Sequence, residues 1–305
     1  MNSTGFHEGE LTVQRRAGLE EEAARLEGML LPPRLDGGIT RFLAQRDLAV
    51  VTARDATGRL WTSLLEGTPG FLQAQGSTLT VHAAPRGGDP LHDMPAGQSI
   101  GLLTIDFAIR RRVRVNGILT ASDAHTLQID ADQAFGNCPS YIQQRRLAPD
   151  AADSASGPEP GQEATTAAGT AYEDVIRKAD TFFFGTTHAA RGTDTSHKGG
   201  NPGFVRVEDG VIWWPDYAGN NLFNSLGNVA VDPAAALLFI DFTSGSQIQL
   251  SGTAELEWVT PGSPGDDGGT GRRVRFHPQQ VHTSSTSLRD TGSVSFSPHN
   301  PSLAV

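Results

Sequence analysis

The amino-acid sequence predicts a mainly β chain with a few short helices, built from two tandem copies of one antiparallel module. Residues 102–120, LLTIDFAIRRRVRVNGILT, recur in register as residues 237–255, LLFIDFTSGSQIQLSGTAE. Identical residues stand at matched positions of the two segments: Leu102, Leu103, Ile105, Asp106, Phe107 and Gly117, and Leu237, Leu238, Ile240, Asp241, Phe242 and Gly252. Each copy is an apolar run, a polar break and an alternating run, a pattern that indicates a β-hairpin with one face in a core.

The repeat also extends towards the N-terminus of each copy. Residues 47–71 align without a gap on residues 180–204, and the turn segments GDPLHDM (88–94) and GNNLFNS (219–225) follow in both. A long repeat with two copies favours duplication of a small domain over a solenoid.

The segments before the first copy carry helical patterns. We expect residues 1–17 to form a loose arm and residues 18–31 to form a short helix with apolar residues at helical spacing. Two prolines at positions 32 and 33 end that helix. Residues 38–46 have a one-sided apolar pattern and predict a second short helix.

Strand patterns follow in the first copy and recur in the second. The predicted strands of the first copy are 47–54, 59–65, 70–74, 78–83, the hairpin 100–120 and residues 125–130. Residues 131–147 are predicted to be one helix or two broken helices, because Pro139 suits a first helical turn. Residues 260–271 are predicted to be a disordered loop, and residues 272–281 a last strand.

These elements divide the chain into five predicted parts. They are an N-terminal arm with a short helix (1–36), the first copy with its helix (37–148), a flexible linker (149–170), the second copy (171–258) and a C-terminal loop, strand and tail (259–305). The linker is rich in Ala, Ser, Gly, Pro, Thr and Glu and lacks apolar anchors.

Composition narrows the classes of function. A formal net charge of −10 argues against general binding to nucleic acid or to anionic membranes. The single cysteine excludes an intrachain disulfide and suits a reducing cytoplasm. The first residues are polar and no apolar run is long enough to cross a bilayer, so we expect a cytoplasmic chain without a membrane span. No HxxxH, GxGxxG, Walker A or GxSxG pattern predicts a zinc, Rossmann, P-loop or hydrolase site.

Two groups of polar residues could bind an anion. The first is Thr195, Ser196, His197 and Lys198, which offer two hydroxyls, an imidazole and an ammonium, and the second is Tyr217, Asn220, Asn221 and Asn224 in the following turn. Solvated loop residues and ordinary turn chemistry explain the same pattern. Arg112 and Arg114 share one strand face, either as an anion grip or as solvated side chains that cover apolar surface.

The chain resembles the pyridoxamine 5′-phosphate oxidase-like family in its two-copy form. The segments that carry the resemblance are RRVRVNG (111–117), GNCPSYIQQRR (136–146), DTSHKGGNPGFVRV (194–207), DYAGNNLFNSLGN (216–228) and SPHNP (297–301). The resemblance implies two tandem six-stranded antiparallel split β-barrels with FMN between them. Family members are normally homodimers, so here the two copies form an intrachain pseudo-dimer, and a homodimer of the whole chain remains open.

The resemblance also implies an unequal pair of sites. Residues 195–198 correspond to the family's phosphate-binding strand, whereas the first copy has Ser63 followed by two leucines there. Gln247 occupies the position of a family glutamine that contacts the isoalloxazine end, and Arg112 replaces that glutamine in the first copy. We therefore expect one good flavin site per chain, built chiefly from the second copy and faced by strands of the first.

Function is expected at the level of the cofactor. The resemblance implies an FMN-dependent oxidoreductase that acts on a small molecule, and a non-enzymatic flavin-binding or interaction protein is the alternative. Deazaflavin F420 or haem could replace FMN in the same groove. No catalytic residue is identified, because the flavin would carry the redox chemistry. Oxidation of pyridoxamine phosphate itself is not favoured, because the C-terminal tail lacks the family's Trp and Arg-x-His pattern.

Overall fold

The computed structural model describes residues 5–30, 34–136, 138–150, 165–166 and 172–303. Most of the predicted linker, 149–170, lies outside the described residues, as do the two prolines at 32 and 33. The described helices are α1 (Glu8–Ala17), α2 (Glu20–Ala24), a 3-10 turn (Glu27–Leu30), α3 (Gly37–Ala44), α4 (Glu173–Lys178) and α5 (Asn224–Val231). None of these helices is long and apolar enough to span a membrane.

The strands belong to two large sheets and one small one. The first sheet contains β1 (Leu48–Arg54), β2 (Leu60–Glu66), β3 (Leu72–Gln75), β4 (Thr78–Val81), β5 (Gln98–Asp106), β6 (Arg111–Ser122) and β7 (Leu127–Gly136). The second contains β9 (Thr165–Thr166), β10 (Thr181–His188), β11 (Gly192–Gly199), β12 (Arg206–Glu208), β13 (Val211–Pro215), β14 (Ala234–Ile240), β15 (Ser246–Trp258) and β16 (Arg272–Ser285). The small sheet pairs β8 (Leu147–Pro149) with β17 (Leu288–Asp290).

The two large sheets have the same antiparallel strand order. The first runs β2-β1-β5-β6-β7-β4-β3 and the second β11-β10-β14-β15-β16-β13-β12, with β9 paired to β16. The two hairpins also share one register, because Leu102 pairs with Val115 and Leu237 pairs with Leu250. The predicted fold class, mainly β with two tandem antiparallel modules, is confirmed. Each module has seven strands along this path where six were expected, and β16 lies within the second sheet although residues beyond 258 had been placed outside it.

Three large apolar cores stabilise this arrangement. All seven strands of the first sheet contribute buried side chains to one core, and the second sheet encloses a matching core. A third core lies between the sheets and includes Leu48, Leu103, Phe183 and Leu238 from β1, β5, β10 and β14. These four strands are therefore buried on both faces, which explains their nearly continuous apolar sequences.

The predicted helix at 131–147 is wrong. Residues up to Gly136 extend β7, in which Leu127, Ile129 and Ala131 are buried and alternate with exposed polar residues. This period-two pattern outweighs the local helical propensity. The segment after Gly136 is irregular, and Tyr141 has a φ of 64°, which is incompatible with a continuous right-handed helix.

Two segments expected to be loose are ordered. Within the predicted arm, α1 begins after His7, whose ring caps the helix while Glu10 completes a capping box, and Val13 and Gln14 are buried. Within the predicted loop 260–271, the buried carboxylate of Asp266 accepts hydrogen bonds from the backbone N–H groups of Gly262 and Gly271. Local acceptors of this kind hold turns that apolar patterns do not reveal.

The copies approach most closely at small residues. A Cβ atom added to Gly101 on β5 would lie 2.8 Å from the backbone of Asp194 and Thr195 on β11. A hydrogen bond stabilises this contact, because the hydroxyl of Thr195 donates to the carbonyl oxygen of Gly101 at 2.8 Å. Backbone faces backbone here, so an added methyl group cannot be accommodated by rotating a side chain.

Gly101→Ala is expected to lower the free energy of unfolding by about 1–3 kcal/mol, the usual cost of overpacking. Gly38→Ala is the matched control, because Gly38 lies in α3 with nothing within 4 Å of an added Cβ, and it should be neutral or slightly stabilising. Urea unfolding of both variants measures the difference, and equal stability of both would contradict the close contact.

Candidate functional site

An open cavity lies between the two copies. It is bounded by β6 from the first copy, by β11, the end of β13 and the start of α5 from the second, and by the segment around Tyr141. It collects most of the predicted site residues: Arg112, Arg114, Ser196, His197, Lys198, Tyr217, Asn220, Asn221 and Asn224.

Three basic side chains line this cavity. Arg112, Arg114 and Lys198 line it, and Asp216 is the carboxylate among its lining residues. The Nζ of Lys198 lies 3.7 Å from Asp216 Oδ1, while Arg272 Nε donates to Asp216 Oδ2 at 3.0 Å. Because Asp216 is shared with Arg272, it neutralises Lys198 incompletely. Burial lowers the pKa of Lys198, and Asp216 partly opposes that shift.

Arg114 is held in a buried network. One terminal nitrogen pairs with Asp194 Oδ1 at 2.8 Å, and the other donates to Ser196 Oγ at 2.6 Å. The hydroxyl of Ser225 donates to Asp194 Oδ2 at 2.8 Å and lies 2.7 Å from Ser196 Oγ. The two serine hydroxyls therefore stand at the cavity wall, oriented by Asp194 behind them.

His197 is neutral and presents a donor. Burial lowers its pKa well below the usual value, and Arg112, Arg145 and Lys198 lower it further. Its Nδ1 accepts a hydrogen bond from Arg112 at 2.8 Å, so the neutral ring carries its proton on Nε2. The ring is fixed edge-on between the aromatic rings of Phe107 and Phe183.

Several buried polar atoms at the cavity have no hydrogen-bond partner within the described part of the chain. They are Arg112 Nε, Arg114 Nε, His197 Nε2, Trp214 Nε1 and Tyr217 Oη. Each can donate a hydrogen bond, and a buried donor left without a partner costs about 1–3 kcal/mol. The first residues of α5, Asn224 to Leu226, also line the cavity, and a helix N-terminus presents backbone N–H groups that favour anions. The cavity therefore suits a ligand rich in acceptor oxygens.

Aromatic rings also line the cavity. The ring centroids of Tyr141 and Tyr217 lie 5.0 Å apart, and Phe204, Trp214 and Phe223 stand nearby. The hydroxyl of Tyr141 donates to the carbonyl oxygen of Ala218 at 2.9 Å, which joins the first copy to the second. Such a wall favours a flat, largely apolar ring system.

The other predicted site residues lie elsewhere. Thr195 is fully buried in the contact between the copies, where it bonds to Thr52 and Gly101. The hydroxyl of Ser63 donates to Asp89 Oδ1 at 2.7 Å. Gln247 lines a second cavity and takes no part in the first.

The second cavity is the pseudo-symmetric counterpart of the first. Leu64, Leu65 and Glu66 stand there at the positions of His197, Lys198 and Gly199, and Gln247 stands at the position of Arg112. Its one arginine, Arg86, pairs with Glu66 at 3.5 Å. The two cavities therefore have related positions in the fold but different side chains: the first is lined by several basic residues, and the second has one arginine, which is paired with Glu66.

Sequence reasoning missed several residues of the first cavity. Asp194 and Asp216 orient its cations, and Ser225 and Tyr141 line it. All four fall within the segments that carry the family resemblance. The contacts of Tyr141 and of Asp194 with Arg114 were not visible because they depend on how the two copies pack against each other.

A cluster of His7, Glu8 and His188 has metal-ligand chemistry, with its ligand atoms within 4.8 Å of one another. The Nδ1 atoms of both rings accept backbone N–H groups, from Gly9 and Ala190. Because Nδ1 accepts in each ring, Nε2 carries a proton, and the Nε2 atom of His188 faces Glu8 at 3.2 Å. Metal-bound histidines normally donate through the second nitrogen, so we interpret the cluster as a hydrogen-bonded clasp of α1.

Comparison with known proteins gives matches among solved structures. No family model matches the sequence, and no curated protein matches it. The FAD-binding protein from Mycobacterium smegmatis is 13% identical, with 40% of this chain and 99% of that chain covered and a TM-score of 0.28. A protein of the pyridoxinephosphate oxidase family from Clostridium acetobutylicum is 11% identical, with 39% and 91% covered and a TM-score of 0.27. An F420 reductase is 12% identical, with 37% and 98% covered and a TM-score of 0.29.

Arg114→Ala is expected to lower the free energy of unfolding by about 3–5 kcal/mol, because it leaves the buried Asp194 carboxylate without its cation. Arg15→Ala is the control, since Arg15 pairs with Glu20 on the surface, with its side chain 68% exposed, and such pairs contribute about 1 kcal/mol or less. Denaturant unfolding compares the two. Similar small losses in both variants would show that Arg114 does not hold the network.

Proposed function

We propose that the chain binds FMN in the first cavity and acts as a flavin-dependent oxidoreductase on a small molecule. The observation that carries the proposal is that cationic, hydroxyl-bearing and aromatic side chains line one cavity together. FMN joins a phosphate dianion to a flat ring with polar edges, and both requirements are met within one cavity.

A phosphate group fits the basic residues of the cavity. Lys198, Arg112 and Arg114 line the cavity, and the hydroxyl of Ser196 stands beside them. Phosphate accepts several charge-assisted hydrogen bonds at once, so it would satisfy groups that lack partners among the described residues. The start of α5 adds a favourable dipole.

The flavin ring fits the aromatic residues of the cavity, and polar side chains of the protein would orient it. Tyr141 and Tyr217 offer faces, and the Nε2–H of His197 offers a donor for a polar ring edge. A bound flavin would supply the redox chemistry. The protein's contribution is to bind the ring, to exclude water from it and to hold donors at fixed positions.

The state of His197 bears on the alternative cofactors. Iron ligation by this ring would need an unprotonated Nε2, whereas the bond from Arg112 to Nδ1 places the proton there. This disfavours haem at His197. Deazaflavin F420 also combines a tricyclic ring with phosphate, so the absorbance spectrum of a ligand released from the purified protein distinguishes it from FMN. A flavin that binds but is not reduced or reoxidised with any substrate would identify a carrier.

Lys198→Ala is expected to weaken FMN binding about 10- to 150-fold, because a charge-assisted hydrogen bond contributes about 1.5–3 kcal/mol. Quenching of flavin fluorescence at fixed ionic strength measures the dissociation constant. Unchanged affinity would remove Lys198 from the phosphate site.

Two control variants sharpen this test. Lys178→Ala removes the same type of side chain from an exposed position and should leave affinity unchanged. Gln247→Ala should also leave it unchanged, because Gln247 lines the second cavity. A loss of affinity or a shifted flavin spectrum in Gln247→Ala would favour the ring contact that the family resemblance implies over the placement proposed here.

A further inference from the structure

The N-terminal helix α1, which lies outside both sheets, reaches the wall of the first cavity. Glu10 is 2% exposed, and its Oε1 accepts a hydrogen bond from Asn224 Nδ2 at 2.6 Å. The amide oxygen of Asn224 lies 3.4 Å from a terminal nitrogen of Arg114. Asn224 therefore connects a buried carboxyl group to the cationic cavity.

Several charged or titratable groups surround this carboxyl. At the start of its own helix, the backbone N–H of His7 donates to Glu10 Oε2 at 2.9 Å, and the Nε2 atom of the His7 ring lies 3.6 Å from the same oxygen. Glu8 precedes Glu10 by two residues and pairs with His188. From the second sheet, Arg191 and Asp194 act on it through space. Burial raises the pKa of Glu10 to about 7, with the hydrogen bonds and Arg191 opposing and Asp194 adding to the rise. Burial also lowers the pKa of His7 to about 4, so that ring stays neutral near pH 7.

The protonation state of Glu10 sets which end of the Asn224 amide faces the cavity. An ionised carboxylate is an acceptor, so it takes the NH₂ end and leaves the amide oxygen towards Arg114. A protonated carboxyl can donate its O–H to the amide oxygen, which turns that oxygen away from Arg114 and frees the Arg114 N–H that it accepts in the ionised state. An anionic ligand gains a donor in that orientation, and it also no longer faces a nearby negative charge.

We propose that Glu10 is a positioning residue of the anion-binding cavity, acting through Asn224, and that protonation of its carboxyl strengthens the binding of a phosphate-bearing ligand. The inference rests on the proposed function for the identity of the ligand. Linkage requires the converse as well, so anion binding should draw a proton onto the protein. The N-terminal segment with α1 is then part of the binding site at the first cavity.

Sulfate is the first probe, because its charge does not change between pH 6 and pH 8. Its dissociation constant, measured by calorimetry, should rise at least about fivefold over this range in the wild type, which is the lower end of typical coupling between sites. The direction follows from protonated Glu10 being the binding form, which is lost as pH rises through about 7. Glu10→Gln, which stays neutral, should give a nearly flat profile with tighter binding at pH 8 than the wild type.

Two further variants distinguish a change in binding from a defect in folding. Asn224→Ser breaks the connection while Glu10 still titrates, so its pH dependence should also flatten. Glu8→Gln changes a neighbouring, exposed carboxyl that faces His188, and it should keep the wild-type profile. A purely structural role of Glu10 would lower stability without altering the pH profile of binding.

FMN is titrated in parallel to separate the two proposals. Equal pH dependence of sulfate binding in the wild type and Glu10→Gln overturns the role of Glu10, whatever FMN does. A Glu10-dependent sulfate profile without FMN binding at any pH supports the role of Glu10 and overturns the proposed function.

Discussion

The packing of the two sheets against each other is the constraint on which the rest of the structure depends. Phe183 and Leu238 from the second sheet pack with Leu103 from the first in a core that neither sheet encloses alone. The first cavity lies at the border of this core, where Phe183 also contacts the ring of His197. Removing apolar surface from water supplies the driving force, and the polar site is positioned as a consequence.

Pseudo-symmetry makes two cavities, and side-chain chemistry makes them unequal. In the first, Arg114 and Lys198 bring cations to a buried space with donors to spare among the described residues. At the second, Gln249 stands in place of Arg114, and its amide NH₂ donates to Ser63 and Asp89, so a neutral amide replaces a cation there. A buried anion needs paired charge, and the first cavity supplies it, whereas the single arginine of the second is paired to Glu66.

Much of the fold could be predicted from the sequence, because duplication and period-two alternation are local signals. The strands β1, β2 and β4 and both central hairpins lie within a few residues of their predicted positions. The helix α1 could not be predicted, because its stability comes from the His7 cap and from packing against α5. The alternation of β7 was visible in the sequence beyond residue 130 but was outweighed by an apparent helix start.

The candidate site likewise contains residues that could be predicted from the sequence and residues that could not. Residues 196–198 and the asparagine turn could be predicted to meet, because they belong to one copy and match one motif. Gln247 and Arg112 occupy equivalent positions, yet the pseudo-twofold relation sends them to opposite cavities. A sequence alignment shows equivalence and not which copy faces which, and Glu10 carries no motif at all.

The central claim is that the two copies build one anion-binding flavin site per chain. Equilibrium dialysis of the purified protein against FMN, with riboflavin as the ligand lacking phosphate, tests it most directly. We expect saturation at one FMN per chain, with riboflavin bound at least about tenfold more weakly because the phosphate contacts are lost. Two equivalent FMN sites per chain, or equal affinity for riboflavin and FMN, would contradict it.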